Sequence, residues 1–443
     1  MLKRKIYNTL LEWKISRKNE HKLECLMIKG ARQVGKTFII REFGKKEYKS
    51  FIEINFIKNP EYKSIFLGSL SSDEIFKRLT ATFSNISFTN GDTLIFLDEI
   101  QKCANARTAI KFLAEDFRFD VISSGSLLGL SYSQDDDDDV TEPNSIPVGY
   151  EKNIIMHSLD FEEFLWANKV NDEAINILRE YFKNGLKIPD VINNKYENLF
   201  TEYMVVGGMP EVVNDFVNNK DFNRVTEIQN KIIAEYQDDI SKHARGAEKV
   251  KVRECYDAIS RQLSKDLKKF QYSTVERGQT SKKYGGSIKW LKDSFLVNAC
   301  TNVSEPLISL IGNEKQEQFK LYYNDTGLLF ATYGPETRLA LLNGTLKGNT
   351  KGGVYENIIA ECLLKNGYTL HYYHPDDTHE LEFLIEKDGE VIPIEVKASN
   401  SSSITLNNFI KTYNPKIAYK LIKGNNGISG TKHTLPHYMV MFI

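Results

Sequence analysis

The sequence predicts an α/β protein built on a parallel β-sheet, and two stretches of the chain carry this prediction. Residues 26–28 form an apolar run that leads into a glycine-containing segment, after which a helical pattern begins. Residues 94–97 form a second apolar run, which ends at Asp98 and Glu99. Short apolar runs of this kind are typical of strands that are buried on both faces. Because such runs alternate with helical patterns here, parallel strand pairing is favoured.

Length and composition bound the class of protein. The chain has 443 residues, of which 41% are hydrophobic and 26% charged, and this suits a globular protein of two to four domains at roughly 100–200 residues each. The formal net charge of -1 excludes binding to a polyanion by bulk charge, although a local basic region can still exist. The five cysteines stand far apart, which indicates a reducing compartment and argues against structural zinc.

The N-terminal stretch "MLKRKIYNTLLEWK" is charged and amphipathic and lacks the apolar core of a signal peptide. No apolar run in the chain approaches the ~20 residues that a membrane helix needs. We therefore expect a cytoplasmic protein without a membrane partner.

The strongest motif is "GARQVGKT" at residues 30–37, which matches the pattern GxxxxGK[ST]. Gly30 and Gly35 let the backbone turn tightly, so that its N–H groups surround phosphate oxygens at the start of a helix. Lys36 would reach the β- and γ-phosphates of ATP, and Thr37 would supply a hydroxyl ligand to Mg²⁺. The predicted nucleotide-binding residues are Gly30, Ala31, Arg32, Gln33, Val34, Gly35, Lys36, Thr37, Phe38, Asp98 and Ser124.

The stretch "DTLIFLDEIQK" adds the second half of a nucleotide site. Asp98 at the end of the apolar run would hold Mg²⁺, and Glu99 would orient the water that attacks the γ-phosphate. An apolar run that ends in two acids is weak evidence alone, because surface helices often begin in this way. Behind a glycine-rich phosphate loop it predicts ATP hydrolysis.

Two further segments complete the predicted sheet, "FIEINF" at residues 51–56 and "FDVISSGS" at residues 119–126. The second segment ends in small polar residues. Ser124 or Ser126 is therefore a candidate sensor of the γ-phosphate at a neighbouring strand tip. A simple Ser/Gly loop is the alternative interpretation of this pattern.

Near the C-terminus, residues 379–399 predict a β-hairpin. The pair Asp388-Gly389 is among the commonest for a two-residue hairpin turn. This turn places Lys387 opposite Glu390, and the register of the two strands follows from that pairing.

In this register Glu382 lies opposite Glu395, and Glu380 lies opposite Lys397, all on one face of the hairpin. Two glutamates at ~5 Å between Cβ atoms destabilise a hairpin, so a compensating cation is expected. Lys397 and a divalent cation are the candidates. The other face is wholly apolar and is predicted to be buried; it carries Leu381, Phe383, Ile385, Ile392, Ile394 and Val396.

Seven stretches in this order resemble the AAA+-type ATPases of prokaryotes that carry a C-terminal domain of unknown function: "GARQVGKT", "LIFLDEIQK", "SSGSLLG", "LDFEEFLWA", "GGMPEVV", "YYNDTGLL" and "IPIEVKAS". The resemblance covers nearly the whole chain. It implies an α/β fold with a P-loop NTPase parallel sheet, a helical lid, a winged-helix-like segment and a C-terminal α/β domain related to PD-(D/E)XK nucleases.

The resemblance also implies four domains. Residues 1–158 would form the AAA+-like ATP-binding domain, with an acidic loop insertion at 134–146, and residues 159–240 would form the helical lid. Residues 241–335 would form the winged-helix-like segment. The nuclease-like domain would then occupy residues 336–443.

A PD-(D/E)XK site takes one carboxylate from a strand and an acid-x-Lys triplet from the next. Here the resemblance assigns Glu382, Glu395 and Lys397 to those positions, with Glu356 on the preceding helix. The implied metal ligands of this site are Glu356, Glu382 and Glu395, which would hold Mg²⁺. Glu395 and Lys397 are its implied catalytic residues, and Lys397 would position or deprotonate the nucleophile or stabilise developing charge. The alternative is a salt-linked solvent face on which Glu380 and Lys397 form an ordinary cross-strand pair.

The sequence departs from the family pattern in three places. Glu382 stands where the nuclease pattern prefers aspartate, and Mg²⁺ tolerates displaced ligands badly. Gly149-Tyr150 stands where many relatives have Gly-Arg, so no arginine finger is assigned. The five aspartates at 135–139 form a charge block that is usually a solvated loop, with a metal or regulatory role as the alternative.

Residues 261–292 form a basic segment with nine Lys or Arg against two acids. A winged helix there would set Lys282, Lys283 and Lys289 near the phosphates of DNA or RNA, giving salt-sensitive affinity. A solvated helix face and a protein hinge are the alternatives.

The function predicted from these patterns is ATP binding and hydrolysis, coupled to a nuclease-like domain that acts on DNA or RNA. The alternative is a nucleotide-gated switch or scaffold, whose inactive nuclease-like domain binds a protein partner or another copy of the chain.

Overall fold

The structure is a computed structural model, and it divides the chain into two units. The first unit comprises residues 4–157, and the second comprises residues 158–443 together with the residues before Arg4. The described residues are 2–125, 147–243, 248–278, 280–376, 379–398 and 402–443. Ser126 and the acidic insertion at 134–146 lie outside this described part of the chain.

The first unit contains the predicted parallel sheet. Its strands are β1 (Cys25–Lys29), β2 (Ser50–Asn55), β3 (Thr93–Asp98), β4 (Asp120–Ser124) and β5 (Glu151–Ile155). They pair in the order β2-β3-β4-β1-β5, and every pairing is parallel. All six residues of β3 are buried, as its continuous apolar pattern predicts.

Four α-helices accompany this sheet in the described part of the first unit: α1 (Ile6–Glu20), α2 (Lys36–Glu47), α3 (Ser72–Thr82) and α4 (Ala104–Ala114). Two short 3₁₀ helices occupy Pro60–Phe66 and Ile100–Lys102. The apolar side chains of α3 and α4 pack with those of β2 and β3 in one buried cluster, to which Ile54, Leu79, Leu97 and Ile110 belong. The prediction of an α/β fold with a parallel sheet is confirmed.

The second unit begins as a series of helices. These are α5 (Phe161–Ala167), α6 (Asp172–Asn184), α7 (Asp190–Val206), α8 (Pro210–Asn219), α9 (Phe222–His243), α10 (Glu248–Leu263), α11 (Tyr272–Val275) and α12 (Ser281–Asp293). Four more lie further along the chain: α13 (Thr326–Tyr333), α14 (Pro335–Leu342), α15 (Gly348–Lys365) and α16 (Ile404–Tyr413). Short 3₁₀ helices occupy Leu310–Asn313 and His437–Phe442. No helix among the described residues is long and apolar enough to cross a membrane.

An eight-stranded mixed sheet follows these first helices. Its strands are β6 (Val297–Val303), β7 (Glu314–Tyr323), β8 (His371–Asp376), β9 (His379–Lys387), β10 (Glu390–Lys397), β11 (Ala418–Ile422), β12 (Gly427–Ser429) and β13 (Lys432–Pro436). They pair in the order β12-β13-β11-β10-β9-β8-β6-β7. The pairs β6–β8, β10–β11 and β11–β13 are parallel, and the other four pairs are antiparallel.

The hairpin of β6 and β7 belongs to this sheet although it lies within residues 241–335, the segment predicted to be winged-helix-like. Thr301 of β6 pairs with His371 of β8, which lies within residues 336–443. A single sheet therefore spans both predicted segments.

The β9–β10 hairpin has the register that the Asp388-Gly389 turn predicts. Lys387 pairs with Glu390, and the ladder continues without a shift to the pair of Phe383 with Ile394. Asp388 and Gly389 both have positive φ, at 51° and 76°, as a type I′ turn requires. The predicted apolar face is buried throughout.

Candidate functional site

Three polar elements of the first unit meet at one edge of its parallel sheet. The loop 30–35 follows β1, Asp98 ends β3 and Ser124 ends β4. In a parallel sheet the carboxyl ends of neighbouring strands lie at the same edge. The register is consistent with this, because Ile28 pairs with Ser124 and Asn55 of β2 pairs with Asp98.

The loop after β1 has a backbone that depends on glycine. Gly30 has a φ of 148° and Gly35 one of 93°, a region that side chains with a Cβ rarely adopt. A Cβ added at Gly30 would also lie 2.2 Å from the Met156 backbone oxygen. Glycine at position 30 is thus required by both conformation and space.

Lys36 folds back over this loop. Its Nζ donates hydrogen bonds to the backbone oxygens of Gly30, at 2.9 Å, and Ala31, at 2.8 Å. The opposite side of the loop is held by Arg4, whose guanidinium donates to the Val34 oxygen at 3.1 Å and to the His157 oxygen at 2.7 Å. Arg4 escaped the sequence analysis because it lies 30 residues from its partner Val34.

Three side chains of the site contact the carboxylate of Asp98, which has only 3% of its surface exposed. Thr37 Oγ1 lies 3.3 Å from Asp98 Oδ2, and Asn55 Nδ2 donates to the same oxygen at 2.9 Å. Ser124 Oγ donates to Oδ1. The structure therefore brings together Thr37, Asp98 and Ser124, as the sequence predicts.

These residues fit a bound Mg²⁺. The hydroxyl of Thr37 and the carboxylate of Asp98 are hard oxygen donors, which Mg²⁺ prefers. Thr37 and Asp98 would hold this ion, and it would supply positive charge against the negative charge that develops during phosphoryl transfer.

Asn55 is a site residue that the sequence analysis missed. Its Oδ1 accepts hydrogen bonds from the backbone N–H groups of Ile57, at 3.0 Å, and Lys58, at 2.8 Å. Because this oxygen is occupied by two donors, the Nδ2 group must point towards Asp98. The available sequence clue was an asparagine at the end of a strand next to β3.

Glu99 stands beside this group without a hydrogen bond to Asp98 among those of the described residues. Its backbone is left-handed, with a φ of 57°, and its Oε2 accepts a hydrogen bond from Gln101 Nε2 at 2.6 Å. Gln101 was also missed by the sequence analysis. Two residues predicted to contact nucleotide, Arg32 and Phe38, are exposed.

A second polar cluster lies in the second unit and contains the residues predicted to form a nuclease-like site. Glu356 of α15 is buried, with 4% of its surface exposed. Lys268 Nζ lies 2.9 Å from its Oε1, and Lys320 Nζ lies 3.3 Å from its Oε2. Tyr322 OH donates to the same Oε2 at 3.1 Å. Burial raises the pKa of Glu356, but Lys320 and Lys268 outweigh it and lower the pKa to about 2.

Lys320 joins two of the carboxylates. It comes from β7, its side chain is fully buried, and its Nζ also lies 2.5 Å from Glu380 Oε1. Burial lowers the pKa of Lys320, but the carboxylates of Glu356 and Glu380 raise it by more. Lys320 is therefore a buried ammonium ion, which the sequence analysis did not identify.

Lys397 contacts the other two carboxylates of the cluster, those of Glu382 and Glu395. Its Nζ lies 3.1 Å from Glu382 Oε1 and 3.6 Å from Glu395 Oε1. The cross-strand pair of Glu380 with Lys397, considered as an alternative, is wrong, because Glu380 contacts Lys320 instead. The picture of a solvent face is also wrong, since Glu382 and Glu395 are only 8% and 1% exposed.

The predicted metal ligands Glu356, Glu382 and Glu395 do not fit a divalent cation in this arrangement. Within the described ranges, no three His, Cys, Asp or Glu side chains group closely enough to hold a metal ion. The physical reason is that lysine ammonium groups already lie against these carboxylates.

The pKa of Glu382 predicts a pH dependence of stability. Burial raises this pKa from 4.5 to about 7, against the opposing effect of Lys397. Between these pH values the folded chain binds more protons than the unfolded chain, so the free energy of unfolding falls as pH rises through this window. We expect Glu382→Gln to flatten this fall, as measured by urea unfolding at about pH 5 and about pH 8. Glu336→Gln, at an exposed position, should leave it intact, and an unchanged slope in Glu382→Gln would contradict the assignment.

Most of the basic side chains of segment 261–292 are exposed. Lys268 is engaged by Glu356, and Lys283 contacts Glu276. Six of the nine basic residues are exposed: Arg261, Lys265, Arg277, Lys282, Lys289 and Lys292.

The fold and phosphate-loop geometry of the first unit define a P-loop ATPase domain of the AAA type. In agreement, residues 22–165 match a family model described as an AAA domain. Two models described as domains of unknown function match the second unit, DUF8612 at residues 197–338 and DUF4143 at residues 351–438. The first unit thus contains an AAA-type domain, and the second unit contains two further segments of unknown role.

Two curated relatives are uncharacterized proteins of Mycobacterium bovis and Mycobacterium tuberculosis. Each is 32% identical to this chain over 116 residues, which is 26% of this chain. The match spans only 25% of the length of either relative.

The solved structures to which this chain is similar include a Walker-type ATPase of Pyrococcus abyssi, which is 15% identical at a TM-score of 0.44. The match covers 75% of this chain and 96% of that one. A STAND protein with a tetratricopeptide repeat sensor from Pyrococcus horikoshii is 14% identical at a TM-score of 0.24, over 80% of this chain and 45% of that one. At these values the likenesses carry no functional conclusion for this chain.

Proposed function

We propose that the protein hydrolyses Mg-ATP in its first unit and that its second unit binds nucleic acid under the control of the nucleotide cycle. The observation that supports the first part is the convergence of Thr37, Asn55 and Ser124 on the buried carboxylate of Asp98. This carboxylate lies beside a glycine-dependent phosphate loop.

Each residue of the nucleotide site has a separate task in this proposal. When ATP binds, the Lys36 ammonium leaves the Gly30 and Ala31 oxygens and contacts phosphate oxygens, because an ammonium ion forms stronger hydrogen bonds with charged acceptors. Thr37 and Asp98 hold Mg²⁺. Glu99 orients the attacking water once Gln101 no longer occupies its carboxylate.

Lys36 and its loop can be tested by ATP binding. We expect Mg-ATP at 100 times its Kd to raise the free energy of unfolding of the first unit by about 2.7 kcal/mol. Lys36→Ala should lose this stabilisation together with phosphate release. Lys45→Ala serves as the matched control, because Lys45 is exposed on the same helix. Equal stabilisation in Lys36→Ala and wild type would refute the nucleotide assignment.

Nucleic-acid binding by the second unit is supported by the exposed basic residues of segment 261–292. Lys282 and Lys289 both belong to α12 and are both exposed. Neutralising phosphates in this way releases counterions, so the affinity should fall steeply as salt rises.

We expect Lys282→Ala with Lys289→Ala to weaken binding to DNA or RNA of any sequence. The slope of log K against log salt should become shallower by about 1 for each phosphate that the protein no longer neutralises. Fluorescence anisotropy with a labelled oligonucleotide measures both quantities, with Lys347→Ala at another exposed position as control. An unchanged affinity and salt slope in the double variant would show that this helix does not bind nucleic acid.

A coupled measurement separates this function from the alternative. If DNA or RNA raises ATP turnover in a Lys36-dependent and salt-sensitive way, the two units act together on nucleic acid. If nucleic acid leaves ATP turnover unchanged at every salt concentration, the chain is instead a nucleotide-gated switch whose second unit binds a protein partner.

The order of acids in the second unit supports a PD-(D/E)XK-like fold in this proposal. Glu356 lies on α15, Glu382 on β9, and Glu395 with Lys397 on β10. Metal-dependent cleavage is not part of the proposed function, because the lysine contacts of these carboxylates do not suit a divalent cation.

A further inference from the structure

We infer that Lys320 takes the place of a divalent cation in the carboxylate cluster of the second unit, so that this cluster is closed to metal by the chain's own lysines. The inference rests on the geometry of the second unit and is independent of ATP hydrolysis. It concerns Glu356, Glu380, Glu382 and Glu395, together with the lysines that contact or face them.

The lysines of the cluster match its carboxylates in number. Its four carboxylates come from α15, β9 and β10. Three lysines form ion pairs with them, namely Lys268, Lys320 and Lys397. A fourth lysine, Lys420 of β11, is the register partner of Glu395. The four lysines match the four carboxylates in number, so the cluster leaves no unmatched negative charge for a metal ion to neutralise, and protonation of Glu382 only lowers the negative charge further.

Lys320 holds the central position among these lysines. Its Nζ bridges Glu356 Oε2 and Glu380 Oε1, which belong to different elements, and its side chain has no exposed surface. It also lies 4.9 Å from the centroid of the Tyr372 ring. A lysine that is buried in this way cannot swing into water to make room for another cation.

The Lys320 ammonium is favoured over a divalent cation at this position. Mg²⁺ needs near-ideal octahedral geometry and gives up its water reluctantly. To enter, it would have to break buried ion pairs, and an uncompensated buried charge is strongly destabilising. The internal ammonium is already paired, so a divalent cation gains little at a large cost.

Removal of the ammonium should reverse this preference. Lys320→Met keeps an unbranched side chain of similar length but leaves Glu380 without its lysine and Glu356 with only Lys268. Two carboxylates left without this ammonium suffice for a divalent cation that keeps several of its water ligands. The variant should therefore gain a site for a divalent cation that the natural sequence lacks.

The test is Mn²⁺ binding by the full chain without nucleotide, followed by the electron paramagnetic resonance signal of free Mn²⁺. All proteins carry Asp98→Asn, so that the ATP site does not contribute. The number of bound Mn²⁺ ions is compared between Asp98→Asn and the triple variant that also carries Glu356→Gln and Glu395→Gln. The quantity of interest is the decrease in this number in the triple variant. We expect no decrease when Lys320 is present. A decrease of one Mn²⁺ ion would overturn the inference.

The second arm uses Lys320→Met. This variant should bind one more Mn²⁺ ion than its parent, and Glu356→Gln should remove that additional ion. A folded Lys320→Met protein that binds no additional ion would overturn the claim that Lys320 stands in the cation's place. If Lys320→Met does not fold, Lys320→Gln is used in this arm, with the same expected gain of one Mn²⁺ ion and the same contradicting outcome.

Discussion

Replacing Asp98 by asparagine is expected to lower kcat for ATP hydrolysis by roughly 10²- to 10³-fold, the loss typical when one preorganised electrostatic group is removed from a site. The side chain is nearly isosteric, so the fold should persist. What is lost is the negative charge that would hold Mg²⁺ in the proposed function. In addition, Thr37, Asn55 and Ser124 each direct a hydrogen-bond donor at this carboxylate. The NH₂ group of asparagine is itself a donor, so it would face one of these donors without forming a hydrogen bond.

The measurement is steady-state phosphate release with Mg²⁺ varied at saturating ATP. Glu12→Gln is the control, because Glu12 is an exposed acid in the same unit and its replacement removes the same charge. If kcat of Asp98→Asn stays within a few-fold of the control at every Mg²⁺ concentration, Asp98 does not hold the metal.

Replacing Lys365 by methionine is expected to destabilise the second unit by about 3–5 kcal/mol, the cost of leaving buried charges without their partner. The side chains of Lys365 and Glu361 are 4% and 0% exposed, and they pair at 2.6 Å. Lys365 also donates to Ser158 Oγ and to the Leu159 oxygen, both at 2.8 Å.

Asp325 makes this loss larger than that of a single pair. It is fully buried, and its carboxylate accepts hydrogen bonds from Ser158 Oγ at 3.0 Å and from the Gly208 backbone N–H at 2.7 Å. Burial and the neighbouring Glu361 raise the pKa of Asp325 to about 6, and Lys365 opposes this rise. Without Lys365, two buried acids face each other with no cation between them.

Urea unfolding of wild type and Lys365→Met, followed by tryptophan fluorescence, measures this difference. Lys347→Met is the matched control, since Lys347 is exposed and should change the free energy of unfolding by no more than about 0.5 kcal/mol. A similar small change for Lys365→Met would show that the buried acids are neutral or find other partners.

The nucleotide site could be predicted from the sequence because its chemistry is local. The eight residues of the phosphate loop are contiguous, and Asp98 is marked by the apolar strand before it. Asn55 and Arg4 could not be predicted in this way, because their roles depend on strand order and on a contact between distant parts of the chain. The residues next to Asn55 and Arg4 in the sequence do not indicate which residues these two side chains contact.

The hairpin of the second unit shows the same boundary between local and distant information. Asp388-Gly389 determines a turn, and the turn determines which residues of β9 and β10 are paired. The ion pairs were not predictable from that register, because Glu380 takes its partner from β7. Lys320 reaches Glu380 from 60 residues away, through a sheet order that no short motif encodes.

The shared sheet of the second unit has a practical consequence for dividing this protein into fragments. A fragment that starts at residue 336 would lack β6 and β7, so β8 would become an open edge liable to pair with other chains. It would also lack Lys268 and Lys320, leaving Glu356 and Glu380 without their counter-charges. A fragment of residues 158–443 keeps the sheet and its ion pairs together. The smallest piece of the second unit that keeps this sheet whole is therefore set by strand pairing, and it is much larger than the 88 residues that match the last family model.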